Sequence, residues 1–398
     1  MINSTLKVGK FTLANRVCFQ PMEGCDCEVN GAPSSLTEQK YINAAKSGAA
    51  LIWVEANAVC PEGRTNPRQL MLTKENIEEF KELVKKIRET AQSECGVNPV
   101  LILQLTHSGR QSIKPMILYR HPLYEARRPV NDENIVSDEY LDTLPMKYAQ
   151  SAALAYEAGF DGVDVKSCHG YLFQELLSAY SRPGRYGGSF ENRASLLINS
   201  MRAVKAAIPE DMLVTCRLSV SDMIPHPYGF GTDEDNNLDL SEPFRLIEML
   251  NNEGIDMLNV TVGNPYYNPH VNRPYKRGGY EPPEEAQTGL KRFEKIERAV
   301  KEKFPSLTVV GSGLSYYRDD LIEVADRQIR EGICDIAGFG RVTLAYPSFY
   351  RDYLDGRFEG KKCCMACSKC TELMRAGKVA GCAVFNPYYR NLYKEIQK

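Results

Sequence analysis

Thirteen cysteines are present, and their placement is uneven. Cys18, Cys25, Cys27, Cys60, Cys95, Cys168, Cys216 and Cys334 are scattered, whereas Cys363, Cys364, Cys367, Cys370 and Cys382 crowd the C-terminal end. Four of the latter follow the spacing Cys364-x2-Cys367-x2-Cys370-x11-Cys382. Three close thiols and one more distant thiol can enclose a cubane, in which each iron needs one thiolate. Zinc could use the same four sulfurs tetrahedrally, but structural zinc favours two C-x2-C pairs, and the grouping here is three plus one. A [4Fe-4S] cluster is the expectation, ahead of zinc and of free thiols, with Cys363 as a substitute ligand. A secreted disulfide framework would be smaller and would follow a signal peptide, which the short polar stretch Met1 to Lys10 does not resemble. So many thiols suit a reducing cytoplasm, as in an anaerobe.

Other reactive side-chain types stand at the ends of short apolar, β-branched runs. Eight such runs read as strands: Arg16 to Gln20, Leu51 to Glu55, Val100 to Gln104, Gly162 to Lys166, Val214 to Leu218, Met257 to Val262, Thr308 to Gly311 and Ile336 to Gly340. Glu55, Gln104, Lys166 and Ser219 close or follow four of them. Helical stretches lie between, including Lys74 to Gln92, Pro145 to Ala158, Arg193 to Ala207, Pro243 to Glu253, Lys291 to Lys303 and Asp319 to Glu331. In the first of these Ile77, Phe80, Leu83, Val84 and Ile87 recur at helical spacing, with Lys and Glu opposite. Eight βα repeats with polar residues at the strand ends predict an α/β fold, a (β/α)8 TIM barrel with its site at the C-terminal face. The barrel is expected over residues 1–352, and residues 353–398 as a cysteine-rich, cluster-binding extension packed on it. The proline-rich segment Tyr266 to Thr288 reads as a long active-site loop.

Charge is nearly balanced, with 49 basic and 51 acidic residues. That excludes the clustered positive surplus of a nucleic-acid binder. No apolar run approaches the length of a membrane span. The expectation is a cytoplasmic enzyme; a homo-oligomer is compatible with it.

Four stretches together carry a resemblance: Leu13-Ala-Asn-Arg-Val with Gln20-Pro-Met22; Gln104-Leu-Thr-His-Ser-Gly-Arg110; His169-Gly-Tyr-Leu followed by Tyr186-Gly-Gly-Ser-Phe-Glu-Asn-Arg193; and Gly338-Phe-Gly-Arg341. From Leu6 to about Pro387 the chain resembles the Old Yellow Enzyme family, in the branch of 2,4-dienoyl-CoA reductase, enoate reductase and trimethylamine dehydrogenase. The resemblance implies FMN in a (β/α)8 barrel and a four-cysteine cluster after the eighth strand. The C-x2-C-x2-C grouping matches trimethylamine dehydrogenase best. The resemblance further implies that Gln104 meets the pyrimidine edge of the flavin, where an amide suits a uracil-like pattern, and that Arg217 stabilises charge near N1 and O2. Pro21, Met22 and Ala56 would line the ring, and Ser312-Gly313 with Gly340-Arg341 would hold the phosphate.

In ene-reductases of this family two imidazoles, or a His and an Asn, bind a carbonyl oxygen, and a tyrosine nearby gives a proton to carbon. His169 fits the second carbonyl-binding position and Tyr171 the donor, while Lys166 replaces the first His. Lysine can hold a carboxylate or an enolate-like oxygen as a point charge; the bland alternative is an ion pair within the fold. Glu23 stands where the family usually has Thr or Cys, beside flavin C4=O and N5. It would disfavour an anionic reduced flavin, pair with Lys166, act as an acid, or turn outward. His107, His226, His270, Tyr266, Tyr267 and Tyr275 are weaker candidates for contacts.

The expected activity is reduction of a small substrate with a polarised C=C bond, an enone or enoate. The alternatives are amine oxidation or demethylation of the trimethylamine dehydrogenase type, and a flavo-iron-sulfur electron-transfer subunit. Relatives in that branch carry a further FAD and NAD(P)H domain, for which no second dinucleotide fingerprint is found. NAD(P)H, or a separate flavoprotein or ferredoxin, is therefore expected to supply the electrons.

Overall fold

The computed structural model describes residues 1–275 and 277–398; Lys276, inside the loop read at Tyr266 to Thr288, lies outside the described residues. Eight strands form one sheet: β3 (Val17–Phe19), β4 (Leu51–Ala58), β5 (Val100–Thr106), β6 (Gly162–Val165), β7 (Leu213–Ser221), β8 (Met257–Val262), β9 (Thr308–Val310) and β10 (Ala337–Phe339). All neighbours run parallel, in the order β10-β3-β4-β5-β6-β7-β8-β9. A parallel bridge between Val310 and Ile336 closes the ring. Helices cover the outside, so every expected strand and the expected (β/α)8 barrel are present.

Each wall helix forms for a local reason. Helix Ile77–Cys95 buries Ile77, Phe80, Leu83, Val84, Ile87 and Ala91 and stops at Gly96, whose φ of 64° is the left-handed cap glycine tolerates best. Helix Asp138–Glu157 begins well before Pro145, because the Ser137 hydroxyl accepts from the Tyr140 amide and starts it there; Pro145 then lies within the helix. Helix Ser35–Ala45 lacks a strong apolar period but carries a capping box, with Ser34 and Thr37 bonding each other's backbone.

Two apolar layers result. One lies between strands and helices and contains Phe80, Tyr148, Phe173, Leu246 and Phe349. The other fills the lower barrel with Leu51, Trp53, Ile102, Leu213, Met257 and Ile336, and is plugged from below by Val8 and Leu13. Those two belong to a hairpin, β1 (Leu6–Val8) paired antiparallel with β2 (Phe11–Leu13). Three-residue strands are too short to show as alternation in the sequence.

Buried ion pairs tie loops above the barrel. Arg110 and Glu175 meet side-on, Nε–Oε2 at 3.0 Å and Nη2–Oε1 at 2.7 Å. This anchors helix Leu172–Leu177, which begins directly after Tyr171. Arg193 reaches Glu242 at 2.5 Å and lies over the Tyr180 ring. After β10 the chain forms helices Phe349–Leu354, Lys369–Arg375 and Pro387–Glu395. The tail returns to the barrel mouth, where the Ala380 amide donates to the Gly24 carbonyl at 2.7 Å. Among the described residues no helix is long and apolar enough to cross a membrane.

Glu297, on the helix Ala286–Lys303 that precedes β9, gives a test of this packing. Its Oε1 accepts the Ser312 amide at 2.7 Å, its Oε2 has no partner, and burial pushes its carboxyl up to about 8. Between the unfolded value, about 4.3, and about 8 the folded chain therefore holds a proton that the unfolded chain has lost, and stability falls as pH rises. Glu297→Gln should flatten that slope and melt a few degrees higher than the parent at pH 8. Melting curves from pH 5 to 9 that run parallel for both proteins would show that the carboxyl does not titrate this way.

Candidate functional site

The C-terminal strand ends surround a cavity of about 1340 Å³, its solvent-open mouth included. Its position follows from the barrel, in which strand ends converge and connecting loops rise around them. Pro21, Met22, Glu23, Ala56, Gln104, Lys166, His169, Tyr171, Arg217, Ser312, Gly313, Gly340 and Arg341 all line it. The sequence candidates for flavin and substrate, drawn from seven strand ends, are thus brought together.

Asp164 organises the floor. Its Oδ2 accepts from Gln104 Nε2 at 2.6 Å and from Trp53 Nε1 at 3.1 Å; its Oδ1 accepts the Arg217 amide at 2.6 Å. Burial raises the Asp164 carboxyl to about 6, with these donors opposing. With Nε2 engaged, the Gln104 carbonyl faces the cavity. The Arg217 guanidinium lines the cavity as well, its Nε buried without a partner.

One end of the cavity is cationic. Arg341 holds the Pro274 carbonyl at 2.9 Å, while its Nη1 and the Nε of Arg273 are buried without partners. Burial, with Arg341 and Arg375 close by, lowers Arg273 to about 10. Among the described residues no carboxylate lies within 4.0 Å of Arg217, Arg273, Arg341 or Arg375. Among the described residues Glu23 is the only acidic side chain in the lining. Unpaired buried cations are costly, and a phosphate group is a suitable partner for converging guanidiniums. The Ser312 amide is already given to Glu297 and its hydroxyl to the Val260 carbonyl, so neither is free for such a group. Arg273 and Arg375 were missed in the sequence. Their only signal was an Arg-Pro step in a proline-rich loop and a basic residue near the cysteines.

The same cavity holds the expected substrate groups. Lys166 is 5 % exposed and makes no ion pair within 4.0 Å among the described residues; its Nζ lies 3.8 Å from the Tyr171 ring centre. An ion pair within the fold is thus not its role here. Burial pulls Lys166 below the usual lysine range, and Arg217 adds to this while Glu23 opposes it. Burial and the Arg217, Lys166 and Arg273 cations hold His169 well below its ordinary value, so its imidazole is neutral. His169 has φ of 64°, strained for a residue with a Cβ, and its amide donates to Ser219 Oγ at 3.3 Å. Tyr171 donates to Glu23 Oε2 at 3.2 Å and lies 3.3 Å from the Tyr266 hydroxyl. Glu23 therefore turns inward.

The weaker candidates separate. Tyr266 lines the cavity, but Tyr267 lies against Arg127, and the Tyr275 hydroxyl donates to the Tyr280 carbonyl. His107 is buried against Tyr140 at 2.8 Å, His226 packs on Tyr180, and His270 bonds Tyr280 at 2.6 Å. None of these three histidines reaches the cavity.

Cys364, Cys367, Cys370 and Cys382 line a second, small cavity next to the first, and Cys370, Arg341 and Leu344 border both. Cys363 does not line it and is packed in the apolar layer. Ala366 and Ser368, between the first three thiols, have positive φ values of 50° and 59°, and the Ala366 amide points at Cys364 Sγ, 3.4 Å away. Strain of this kind persists where the surroundings over-determine it. Among the described residues no three His, Cys, Asp or Glu side chains converge on a point as the ligands of one metal ion would.

The chain is 24 % identical over 371 residues to an NADH oxidase of Thermoanaerobacter brockii, covering 91 % of this chain and 52 % of that one. It is 25 % identical over 412 residues to a cinnamate reductase of Clostridium sporogenes, covering 96 % and 57 %. The chain thus spans about half the length of these relatives. Among solved structures, a 2-naphthoyl-CoA reductase complex superposes with a TM-score of 0.81 at 20 % identity, covering 98 % of this chain and 58 % of that one, which supports the fold. The model of the NADH:flavin oxidoreductase / NADH oxidase family matches residues 4–358, and the chain belongs to that family.

Proposed function

We propose that this chain is an FMN-dependent reductase of polarised C=C bonds, with enones or enoates as the substrate class and NAD(P)H or a separate redox protein as electron source. The observation that carries the reading is an unpaired Lys166 beside neutral His169 and Tyr171, in the same cavity as the Gln104–Arg217 floor. The residues present fit FMN. Gln104 offers a carbonyl beside a guanidinium, as a pyrimidine edge needs, and the orphaned Arg273 and Arg341 nitrogens suit a phosphate. Bound FMN would supply hydride chemistry at the face of its ring.

The chain's own residues do the rest. Lys166 and His169 hold the acceptor oxygen, Lys166 by charge and His169 by a ring N–H, so that negative charge developing there is stabilised. Tyr171 gives its proton to the carbon next to the activating group. Amine oxidation is the weaker reading, because the lining is cationic and only Tyr266 of the loop tyrosines reaches it.

The cluster reading is supported by the same four thiols bordering one cavity while Cys363 stays apart. Their three-plus-one spacing suits four irons better than one zinc. Cys364, Cys367, Cys370 and Cys382 would be the ligands, with Cys370 nearest the flavin cavity.

Tyr171→Phe should lower turnover of enones and enoates by about 10²-fold or more while flavin content is retained. Unchanged turnover of every such substrate would remove Tyr171 as the proton donor. Arg273→Ala should weaken FMN binding by about tenfold, the size expected of one lost charge-assisted contact, as read by flavin titration of the apoprotein. Equal affinity would mean that Arg273 does not face the phosphate. Protein purified anaerobically should hold about four irons per chain, with Cys370→Ser losing most of them and Cys363→Ser none. Stoichiometric zinc in place of iron would refute the cluster.

A further inference from the structure

A proton donor that works repeatedly must be recharged, and Tyr171 is 3 % exposed. Its hydroxyl has two protein partners, Glu23 Oε2 at 3.2 Å and the Tyr266 hydroxyl at 3.3 Å. Lys166 lies over the face of the ring and not at the hydroxyl. Of the two partners, a carboxyl is far more acidic than a second phenol.

The second oxygen of Glu23, Oε1, is buried with no partner among the described residues, although the side chain lines the cavity. A carboxyl with one oxygen on Tyr171 and the other unpaired is poorly built as a structural ion pair. It suits a group that takes and gives a proton.

The backbone around Glu23 is fixed. The next amide, at Gly24, donates to Glu55 Oε2 at 2.6 Å, and the Gly24 carbonyl accepts from Ala380. Glu55 is itself held by Lys40 and by the Tyr41 hydroxyl at 3.1 Å, and Lys40 also pairs with Asp26 at 3.0 Å. This buried group spends its charges on itself and leaves Glu23 outside the pairing.

We propose that Glu23 returns to Tyr171 the proton that Tyr171 gives to substrate, along the Glu23–Tyr171 hydrogen bond. The inference rests on Tyr171 being the proton donor. The phenol O–H breaks as a C–H bond forms on the substrate. The tyrosinate then takes the carboxyl proton of Glu23, and the carboxylate is reprotonated from solvent at the cavity mouth. No electrons move in this step. The groups facing Glu23 are Lys166 and Lys40, which favour its charged form, and Asp26, which opposes it, with Tyr171, Tyr266 and Cys25 beside it. Burial outweighs the lysines and raises the carboxyl above its ordinary value, in the direction a proton reservoir needs.

The test uses FMN-loaded protein and the Glu23→Gln variant, which keeps shape but carries no acidic proton. Infrared difference spectra of the oxidised proteins with cinnamate bound at pH 7, parent minus variant, should contain a protonated-carboxyl stretch; its absence overturns the proposal without any turnover being needed. With 2-cyclohexenone or cinnamate, steady-state turnover of Glu23→Gln should fall at least tenfold further than the single turnover of dithionite-reduced protein, because only later turnovers need recharging. Glu23→Asp should recover part of the loss, and acetic acid should rescue Glu23→Ala. Single-turnover and steady-state rates falling together would assign Glu23 to tuning the flavin instead. Tyr171→Phe, run alongside, separates the two levels. If it leaves turnover intact, the donor reading fails; if it abolishes turnover while Glu23→Gln keeps the parent's rates, the relay alone fails.

Discussion

Asp164 lies inside the barrel with both carboxylate oxygens engaged, and the arrangement of the cavity floor depends on it. A carboxylate taken out of water is stable only if hydrogen-bond donors replace its hydration. Here the donors come from the two strands flanking β6, β5 and β7, and from β4 beyond β5, as Gln104, the Arg217 amide and Trp53. The constraint works in both directions. The donors keep Asp164 ionisable near neutrality, and Asp164 decides which face of Gln104 points upward. A free glutamine amide could present either its NH2 or its oxygen. With the NH2 engaged below, it presents the oxygen beside the Arg217 cation, a fixed acceptor next to a fixed donor.

Above that floor the cavity is electrostatically one-sided. Lys166, Arg217, Arg273, Arg341 and Arg375 line it against Glu23 alone. Buried cations without counter-ions cost free energy that the fold must offset elsewhere. The Arg110–Glu175 and Arg193–Glu242 pairs show that this chain does pair buried guanidiniums where their role is structural. The cavity arginines differ in being left unpaired, which is the property of a site made for an anionic occupant.

The fold was largely legible because its signal is periodic. Eight buried strands and their amphipathic partners follow from residue patterning, and the barrel brings their C-terminal ends together whatever the loops do. What was illegible is of three kinds. The hairpin that plugs the barrel is too short to have a period. The start of helix Asp138–Glu157 is set by a single cap at Ser137, a weaker local signal than Pro145. The third kind is pairing at long range. Asp164 reads as one polar residue in an apolar strand, and nothing local says that it meets Trp53, Gln104 and Arg217. In the same way Arg110 and Arg193, parts of the motifs that carried the resemblance, prove to hold loops in place. Motif residues mix chemistry with support, and only partners tell the two apart.

The substrate side of the cavity illustrates why partners matter more than residue types. Lys166, His169 and Glu23 could all be charged in water, yet here burial pushes each toward neutrality. They do not respond alike to one another. A charged Lys166 disfavours the imidazolium of His169 and favours the carboxylate of Glu23. Burial and the Arg217 and Arg273 cations keep the imidazole neutral whichever protonation states the lysine and the glutamate take. A negatively charged substrate would favour the protonated form of both groups, because the ammonium gains a partner and the carboxylate gains a repelling neighbour, so that its arrival draws a further proton from solvent. The arrangement thus couples the arrival of an anionic acceptor to a protonated Lys166 and a protonated Glu23. Those are the forms in which the first can hold the acceptor's oxygen and the second has a proton to give.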